Sequence, residues 1–537
     1  MRPRLTIWSR NILARLGSWR DKLLAMPRWH KVSLGLVSVT SIVLLLAWWG
    51  PLSDQKSDQT DTQKIPAGHM RFVVRIPVNT PPEDSIYIHP QTATKEQYKM
   101  QRQSDFAYSV DLNEQQLLPT GPDGTVRYRY VRNGNDFRTA EYLELDTDDY
   151  FWTQRGRKVQ FAAGQTQTDT IMRWRWFPPG NEPLVKTTQL APSGQFLPRV
   201  KDIAFRSGQI IEDFYTPAFD SAFTSTAQHL KKMGYSGVEI DPPWQWTEEN
   251  GLPKVKNLFD DNPNYPSDAK LIEEIKAYKQ AGLKVTLGPQ LCCTQLNTEN
   301  RSADWWNQYF AETTDFLVHF AKLAESSDVD SLHYAVGSWE AQHASRWRQV
   351  FQTIKQHFSG EVGQMVWNSG STPGFIIPDE NTITWGEVLD YFYIAIDTPI
   401  STKDEPTDDE LKAGADTMLD GAKKLYDKYQ KPVFVRTTYF KVKQTWRGNS
   451  FYNIASVPWY GSEEKELANS QYQFGSHDQA RVVNAFWRSI AERSWVIGYA
   501  QFGYSHWENP LAPDLSVRGQ PAEDLWRKWN AVVNQNR

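Results

Sequence analysis

From about residue 197 onward, short apolar runs alternate with longer amphipathic runs, and this alternation most constrains the fold. The apolar runs have the length of buried strands, and the runs between them have helical spacing. The predicted strands are Ile203–Ile211, Ser236–Ile240, Leu283–Leu287, Leu332–Val336, Val362–Trp367, Leu389–Ile396, Pro432–Thr437 and Val496–Phe502. Eight such units predict a TIM-type (β/α)8 barrel over residues 197–537. An open doubly wound sheet is the alternative, but no glycine-rich phosphate loop follows the first strand.

A different pattern occupies residues 69–180, where short runs of alternating polarity are separated by turn residues such as GPDG at 121–124. About seven short strands in this length predict an all-β sandwich. A chain of 537 residues exceeds what one hydrophobic core usually supports, so two folded domains are expected.

The N-terminal region predicts a membrane anchor. Residues 1–31 carry eight Lys or Arg and one acid, Asp21, and residues 32–49 are uncharged and long enough to cross a bilayer. The basic flank predicts a cytoplasmic tail, a transmembrane helix and periplasmic or extracellular domains after a linker at residues 50–68. A cleaved signal peptide is the alternative, but the basic region is long and no small-x-small site follows the apolar run.

Composition restricts the partners. A net charge of −4 gives no reason to expect nucleic acid, whereas 23 Trp and 23 Tyr suit the binding of sugar rings. The adjacent Cys292 and Cys293 lack zinc-ligand spacing, and His333 and His357 have no partner at ligand spacing, so no metal and no cofactor are expected. No serine-nucleophile motif is present in the sequence.

The fourth predicted strand ends at Gly337 and is followed by Ser338, Trp339 and Glu340. Barrel enzymes carry their chemistry at this end of the strands. We expect Glu340 to be a general acid, because the neighbouring Trp339 would desolvate the carboxyl group and raise its pKa. The alternative is a structural carboxylate that caps the next helix or pairs with His343 or Arg346.

Hydrolysis of a glycosidic bond needs a second carboxyl group. Asp241, Asp397 and Glu508 follow the second, sixth and eighth predicted strands and are the candidates for a base or nucleophile. A structural role is the alternative for each. Only alternate residues of a strand face the barrel interior, and the sequence does not give that phase.

Aromatic and polar residues at the predicted strand ends form the expected substrate-binding set. Its members are Trp244, Trp246, Trp339, Trp367, Asn368, Arg436, Tyr439 and Trp507. Tryptophan faces would stack on sugar rings, although core packing is the alternative. Arg436 would bind a carboxylate or sulfate of an acidic polysaccharide if it points inward, and would pair with a helix if it points outward.

Two segments resemble known families. Ile76–Pro90, Gly124–Tyr142 and the closing DTIMRW are similar to starch-binding-type carbohydrate-binding modules of family 20. This resemblance implies a sugar-binding sandwich; a spacer without a sugar site is the alternative.

The second half resembles glycoside hydrolase family 113, a β-mannanase-like, retaining branch of the barrel enzymes. The resemblance lies in His229–Trp246, the segments DFLVHFAKLAE and HYAVGSW, Lys431–Phe440 and Asp514–Trp529. It implies catalytic glutamates on strands four and seven. Here Glu340 falls one position later than the family's Gly-x-Glu, and strand seven offers Arg436 in place of a carboxylate.

Together these features predict a membrane-anchored glycoside hydrolase that acts on a polysaccharide, with no nucleic-acid partner. The rival is a catalytically inactive barrel that binds glycan during polysaccharide assembly or export. The missing carboxylate on strand seven favours the rival, whereas Glu340 and the aromatic strand ends are compatible with both.

Overall fold

The structure is a computed structural model of the 537-residue chain. The residues it describes are 64–90, 96–118, 125–134, 139–143, 156–180, 182–200, 205–211, 217–257, 265–292, 296–336, 342–368, 381–448 and 473–535. The predicted cytoplasmic tail and transmembrane helix at residues 1–49 therefore lie outside the described part. Within the described ranges, no helix has both the length and the apolar character needed to cross a bilayer.

Two four-stranded sheets form the first domain. The strands are β1 His69–Arg75, β2 Ile86–Pro90, β3 Tyr98–Lys99, β4 Gln101–Ser104, β5 Ala107–Asn113, β6 Thr125–Arg132, β7 Arg157–Gln160 and β8 Thr166–Thr170, with the short helix α1 Glu114–Leu117 after β5. The sheet orders are β4-β5-β1-β8 and β3-β2-β6-β7. Alternate residues such as Phe72 and Tyr128 fill one core between the sheets, which makes the domain a sandwich.

Eight parallel strands close into a barrel. They are β9 Phe205–Ile211, β10 Gly237–Asp241, β13 Lys284–Leu287, β15 Ser331–Ala335, β16 Glu361–Asn368, β17 Tyr391–Ile396, β18 Val433–Thr437 and β19 Val496–Gln501. Strand β19 pairs with β9, so the sheet has no free edge. The predicted barrel is confirmed, and each strand lies within two residues of its predicted ends.

Helices follow the strands and cover the barrel. They are α2 Phe223–Lys232, α3 Asp268–Gln280, α4 Ala303–Ser326, α5 Ala344–His357, α6 Asp408–Tyr429, α7 Ser476–Ala491 and α8 Pro521–Gln535, with 3-10 turns at Pro217–Ser221, Gly386–Val388 and Thr445–Arg447. Local sequence sets their ends: the Ser302 hydroxyl accepts a hydrogen bond from the Trp305 amide at the start of α4. Gly234 and Gly282 take positive φ just after α2 and α3, where the chain turns back to a strand.

A small antiparallel hairpin follows β10. Strands β11 Pro243–Glu249 and β12 Leu252–Asn257 pair with each other, and the short strand β14 Gln290–Cys292 joins β11. Glu312 of α4 fixes the hairpin to the barrel, because its carboxylate accepts hydrogen bonds from the Val255 amide and the Lys254 ammonium group.

Strand alternation assigns the inside and outside of the barrel. Met365, Tyr393 and Phe434 belong to an aromatic and apolar cluster formed by β16, β17, β18 and β19, whereas Val366 and Val435 pack in the core beneath the helices. Residues two apart on a strand share a face. This fixes the phase that the sequence left open and places every second residue of these strands in the barrel interior.

The sandwich contacts the barrel through buried polar groups. Arg132 pairs with Asp84 inside the sandwich, and its Nη2 donates to the backbone oxygen of Glu508 at 3.1 Å and to Oδ1 of Asn509 at 3.2 Å. The Leu511 amide also donates to the backbone oxygen of Trp176 at 2.9 Å. Sandwich and barrel therefore belong to one compact unit, Ile65–Arg537.

Candidate functional site

A cluster of polar side chains lies inside the barrel near the carboxyl ends of the strands. Glu239 and Asp241 come from β10, His333 from β15, Tyr393 from β17 and Arg436 from β18, and all five are buried. Their sequence neighbours Val238, Ile240, Leu332 and Val435 pack outward beneath the helices. Alternation along the strands therefore turns the polar side chains inward.

Each carboxylate of the cluster has an identified partner on one oxygen. Oδ2 of Asp241 accepts a hydrogen bond from the Gln290 amide and lies 3.9 Å from Nη1 of Arg436. Oε2 of Glu239 accepts a hydrogen bond from the Tyr393 hydroxyl. Oε1 of Glu239 lies 3.2 Å from Nε2 of His333. One ligand atom each from Glu239, Asp241 and His333 lies within 4.8 Å of the other two, so these three groups could hold a metal ion.

Burial sets the protonation of this cluster. It raises the pKa of Glu239 to about 7, although Arg436, the Tyr393 hydroxyl and a hydrogen bond with Asp241 act in the opposite direction. Burial also lowers the pKa of His333 to about 3, so the ring is neutral at neutral pH. The His333 ring stacks on Tyr393, with centroids 4.2 Å apart, and this contact fixes its orientation.

The absence of a side chain at Gly288 leaves space for the side chains of Asp241 and His333. A Cβ atom there would lie 2.5 Å from Oδ1 of Asp241 and 2.7 Å from Nε2 of His333. Real Cβ atoms essentially never approach heavy atoms so closely. Any larger residue at 288 would therefore displace one of these two side chains.

Arg436 points inward, which decides between the two orientations considered from the sequence. Its guanidinium carbon lies 4.5 Å from the ring centroid of Trp367 and 4.5 Å from that of Phe502. Asp241 is the carboxylate that it faces. The strand on which the family resemblance implied a nucleophilic glutamate thus presents a buried cation to the barrel interior.

The remaining candidate carboxylates occupy different surroundings. Asp397 follows β17 on the same face as Tyr393 and Ala395, and it is half-buried. Glu508 is buried, and its carboxylate accepts a hydrogen bond from the Lys186 ammonium group in an ion pair. Its backbone oxygen accepts a hydrogen bond from Arg132. Its identified contacts therefore link the sandwich to the barrel. Trp339 and Glu340 lie outside the described residues.

Most of the described tryptophans expected to stack on sugars pack against helices instead. Trp246 is 6% exposed and stacks on Tyr309 of α4, with centroids 4.8 Å apart and planes at 19°. Trp507 is 5% exposed and packs on Phe219. Trp244 is half-buried against Phe316. Core contacts therefore already cover the rings of Trp246 and Trp507, and their predicted stacking on sugars stays a prediction.

Asn368 and Tyr439 also face away from the barrel interior. The Asn368 amide donates to the Thr398 hydroxyl at 3.0 Å and to Sδ of Met418 in α6 at 3.4 Å. The Tyr439 hydroxyl donates to the backbone oxygen of Thr398 at 2.7 Å. Both residues therefore brace the strand ends, and their predicted role as substrate ligands stays a prediction. Trp367 is half-buried beside Arg436 and remains in the binding set.

Four residues of this cluster were not among the site residues predicted from the sequence: Glu239, Gln290, His333 and Tyr393. Glu239 and Asp241 stand two apart in the apolar segment GVEID, and this spacing was the available signal for two carboxylates on one face of a strand. No comparable signal existed for His333. Its neighbours in the cluster come from other strands, whereas ligand spacing in a sequence is visible only between residues close together along the chain.

Comparisons with known proteins bear on the barrel. A family model described as Glycoside Hydrolase Family 113 matches residues 224–516, from α2 to the segment after β19. A solved complex of a GH113 β-1,4-mannanase is 16% identical, with 61% of this chain and 98% of that chain covered and a TM-score of 0.48. The GH113 β-mannanase of Alicyclobacillus acidocaldarius is 14% identical, with 62% and 98% covered and a TM-score of 0.46. No curated protein matches the chain.

Proposed function

The chain belongs to glycoside hydrolase family 113, and we propose that it hydrolyses glycosidic bonds of a polysaccharide at the mouth of its barrel, with Glu340 as general acid and Asp397 as the partner carboxylate. Family membership carries the reaction class. Two carboxyl groups on either side of the bond supply the chemistry: one protonates the leaving oxygen, and the other attacks the sugar or activates water.

The surroundings of the three candidate partners favour Asp397. A partner carboxylate has to touch the sugar or the attacking water. Asp397 is half-buried just after β17, and the alternation of that strand predicts an inward position for it. Asp241 is fully buried against Gln290 and Arg436, and Glu508 is paired with Lys186. Asp397 is therefore the candidate with both an inward position and partial exposure.

Reducing-sugar release by the full chain tests this proposal. The substrates are mannan, β-glucan, starch and an acidic exopolysaccharide, each given to the unmodified chain and to the variants Glu340→Gln and Asp397→Asn. We expect each variant to lose activity by about 10²-fold or more, as is usual for loss of a general acid or base. Glu508→Gln is the control and should retain activity. Loss of activity in Asp241→Asn but not in Asp397→Asn would reject Asp397 as the partner.

A glycan-binding barrel without hydrolysis is the second candidate. Arg436 favours it, because this buried cation occupies the strand on which the resemblance implies a nucleophile. Binding of one of the four polymers without release of any reducing sugar would support this candidate and contradict the first.

The sandwich is proposed to bind glycan, in keeping with its resemblance to starch-binding modules. A groove of about 540 Å³ on this domain supports the proposal, because Lys99, Gln101 and Arg102 supply hydrogen-bonding groups along it. We expect Lys99→Ala together with Arg102→Ala to weaken retention of the full chain on immobilised starch, with Lys158→Ala and Arg173→Ala as the control pair. Unchanged retention would leave the sandwich as a spacer.

Anchoring by residues 32–49 would hold both domains at the cell surface or in the periplasm. The basic residues before this stretch support an orientation with the N-terminus in the cytoplasm. Recovery of the full chain in carbonate-washed membranes, and its loss from them after deletion of residues 32–49, tests the anchor. A chain that washes off without the deletion would refute it.

A further inference from the structure

We propose that Glu239, Asp241 and His333 form a binding site for one first-row divalent cation, of the Zn²⁺ or Mn²⁺ class, inside the barrel. The three groups are buried, and one ligand atom from each lies within 4.8 Å of the other two. Two carboxylates and an imidazole are a donor set that suits such ions. This inference does not depend on the proposed hydrolysis.

The distance between two of the ligand atoms matches a coordination polyhedron. Nε2 of His333 and Oε1 of Glu239 are 3.2 Å apart. Metal bonds of about 2.1 Å place neighbouring ligand atoms about 3.0 Å apart in an octahedron and about 3.4 Å apart in a tetrahedron. A cation bound by both groups would therefore fit with little movement of either side chain.

His333 provides an independent reason to expect a ligand here. Its ring is fully buried, and neither ring nitrogen makes a hydrogen bond with any described residue. Buried polar atoms without such a partner are costly. Nε2 lies 3.2 Å from Oε1 of Glu239, and neither of these two atoms makes a hydrogen bond of good geometry within the described part of the chain. A cation between the two atoms would satisfy both.

Outer partners hold the two carboxylates in a suitable orientation. The Tyr393 hydroxyl donates to Oε2 of Glu239, and the Gln290 amide donates to Oδ2 of Asp241. The other two oxygens, Oε1 and Oδ1, are the ones near His333. Hydrogen bonds to the outer atoms of metal ligands are the usual way in which proteins orient them. Gly288 leaves open the space that borders Oδ1 of Asp241 and Nε2 of His333.

The positive charge of Arg436 lowers the expected affinity of the Glu239, Asp241 and His333 site for a cation. Its Nη1 lies 3.9 Å from Oδ2 of Asp241, on the oxygen that also binds Gln290. Metal binding requires both carboxyl groups to be ionised. Two carboxylates and one guanidinium then carry a net charge of −1, so a divalent cation brings the cluster to +1. We therefore expect micromolar rather than nanomolar affinity. Three protein ligands also leave coordination positions for water or a hydroxyl group.

Calorimetric titration of the EDTA-treated full chain with ZnCl₂ and with MnCl₂ tests the proposal at one fixed pH. We expect one cation per chain, a higher Tm when the ion is present, and at least 10-fold weaker binding in His333→Ala and in Glu239→Gln. His319→Ala is the matched control: its Nε2 also lies 3.2 Å from a carboxylate, that of Asp268, but it belongs to no three-residue cluster in the described ranges.

The calorimetric titration measures the number of cations bound per chain and does not depend on hydrolysis. Failure of the cation proposal can therefore be distinguished from failure of the proposed hydrolysis. Circular dichroism of the metal-free variants identifies any that fail to fold, and the nearly isosteric Glu239→Gln then decides. Absence of binding for both ions would overturn the proposal. So would a bound cation that His333→Ala and Glu239→Gln leave unaffected.

Discussion

The guanidinium of Arg436 lies over the indole of Trp367, 4.5 Å from the ring centroid, with Phe502 at the same distance. Aromatic faces stabilise a cation that has little access to water. The nearest described carboxylate, on Asp241, is 3.9 Å away. A buried positive charge is thus held between two rings at the centre of the candidate site.

Removing this charge should destabilise the protein. In Arg436→Gln the carboxylates of Glu239 and Asp241 lose the cation that faces them, and breaking such a buried pair costs about 3–5 kcal/mol. Urea denaturation should show a matching decrease in the free energy of unfolding. Arg102→Gln, which removes an exposed partner of Asp105, serves as the control and should leave stability unchanged. An equally stable Arg436 variant would contradict the buried-pair description.

Substitution of two tryptophans should distinguish a residue that binds substrate from a residue that packs in the core. Trp367 is half-buried next to Arg436, and Trp367→Ala should raise the KM for the preferred polymer about 10-fold, equivalent to about 1.4 kcal/mol of lost contact. Trp246 is covered by Tyr309, so Trp246→Ala should instead lower the free energy of unfolding by about 3–5 kcal/mol. Steady-state kinetics and urea denaturation of both variants check this; a KM effect limited to Trp246 would reverse the assignment.

Glu523 should make stability depend on acid pH. Burial alone would raise the pKa of this carboxyl group, but hydrogen bonds from His229, Tyr504 and the Gly519 amide outweigh burial and lower it. A carboxyl group whose pKa is lower in the folded state stabilises the fold above its unfolded pKa, and this contribution is lost as the pH falls through the folded pKa.

Glu523→Gln should therefore be less stable than the unmodified chain at neutral pH, by about 1–3 kcal/mol. The difference should shrink as the pH falls, because the wild-type carboxyl group becomes protonated. Urea denaturation across an acid-to-neutral pH series measures it. Asp409→Asn, at a largely exposed ion pair with Arg488, is the control and should show no such pH dependence. A difference that grew towards acid pH would contradict the stated direction.

Arg132 should couple the sandwich to the barrel during unfolding. Its guanidinium binds Asp84 in one domain and the Glu508 backbone and Asn509 in the other. Calorimetric scans of Arg132→Gln should show two separated transitions where the unmodified chain shows one. Arg127→Gln, on the same strand but half-buried, is the control. A single transition in Arg132→Gln would mean that other contacts carry the coupling.

The sequence predicted the barrel because its signals are local. A strand buried on both faces has a short apolar run, and positive-φ glycines such as Gly234 and Gly282 mark the return from helix to strand. The inward phase was not predictable, since strand pairing between distant segments sets it. Glu239 and His333 are 94 positions apart along the chain, yet the closed sheet brings them to 3.2 Å.

The tryptophans near β10 show a second limit of the sequence. Trp244 and Trp246 follow a strand end, a position typical of sugar-binding loops, but the segment forms the hairpin β11–β12 and lies on α4. The aromatic residues of α4, among them Tyr309 and Phe316, provide the surface that covers them. Only the packing of hairpin on helix distinguishes a core tryptophan from a binding one.

The buried contact between Arg132 and the segment around Asn509 has a consequence for proteolysis. Residues 182–200 connect the two domains without a helix or strand, and within this segment the exposed residues 193–195 are the place where a protease would cut. Cleavage there would break the chain but not the Arg132 contacts, which lie elsewhere. The two fragments should therefore travel together through a sizing column, like the subunits of a heterodimer.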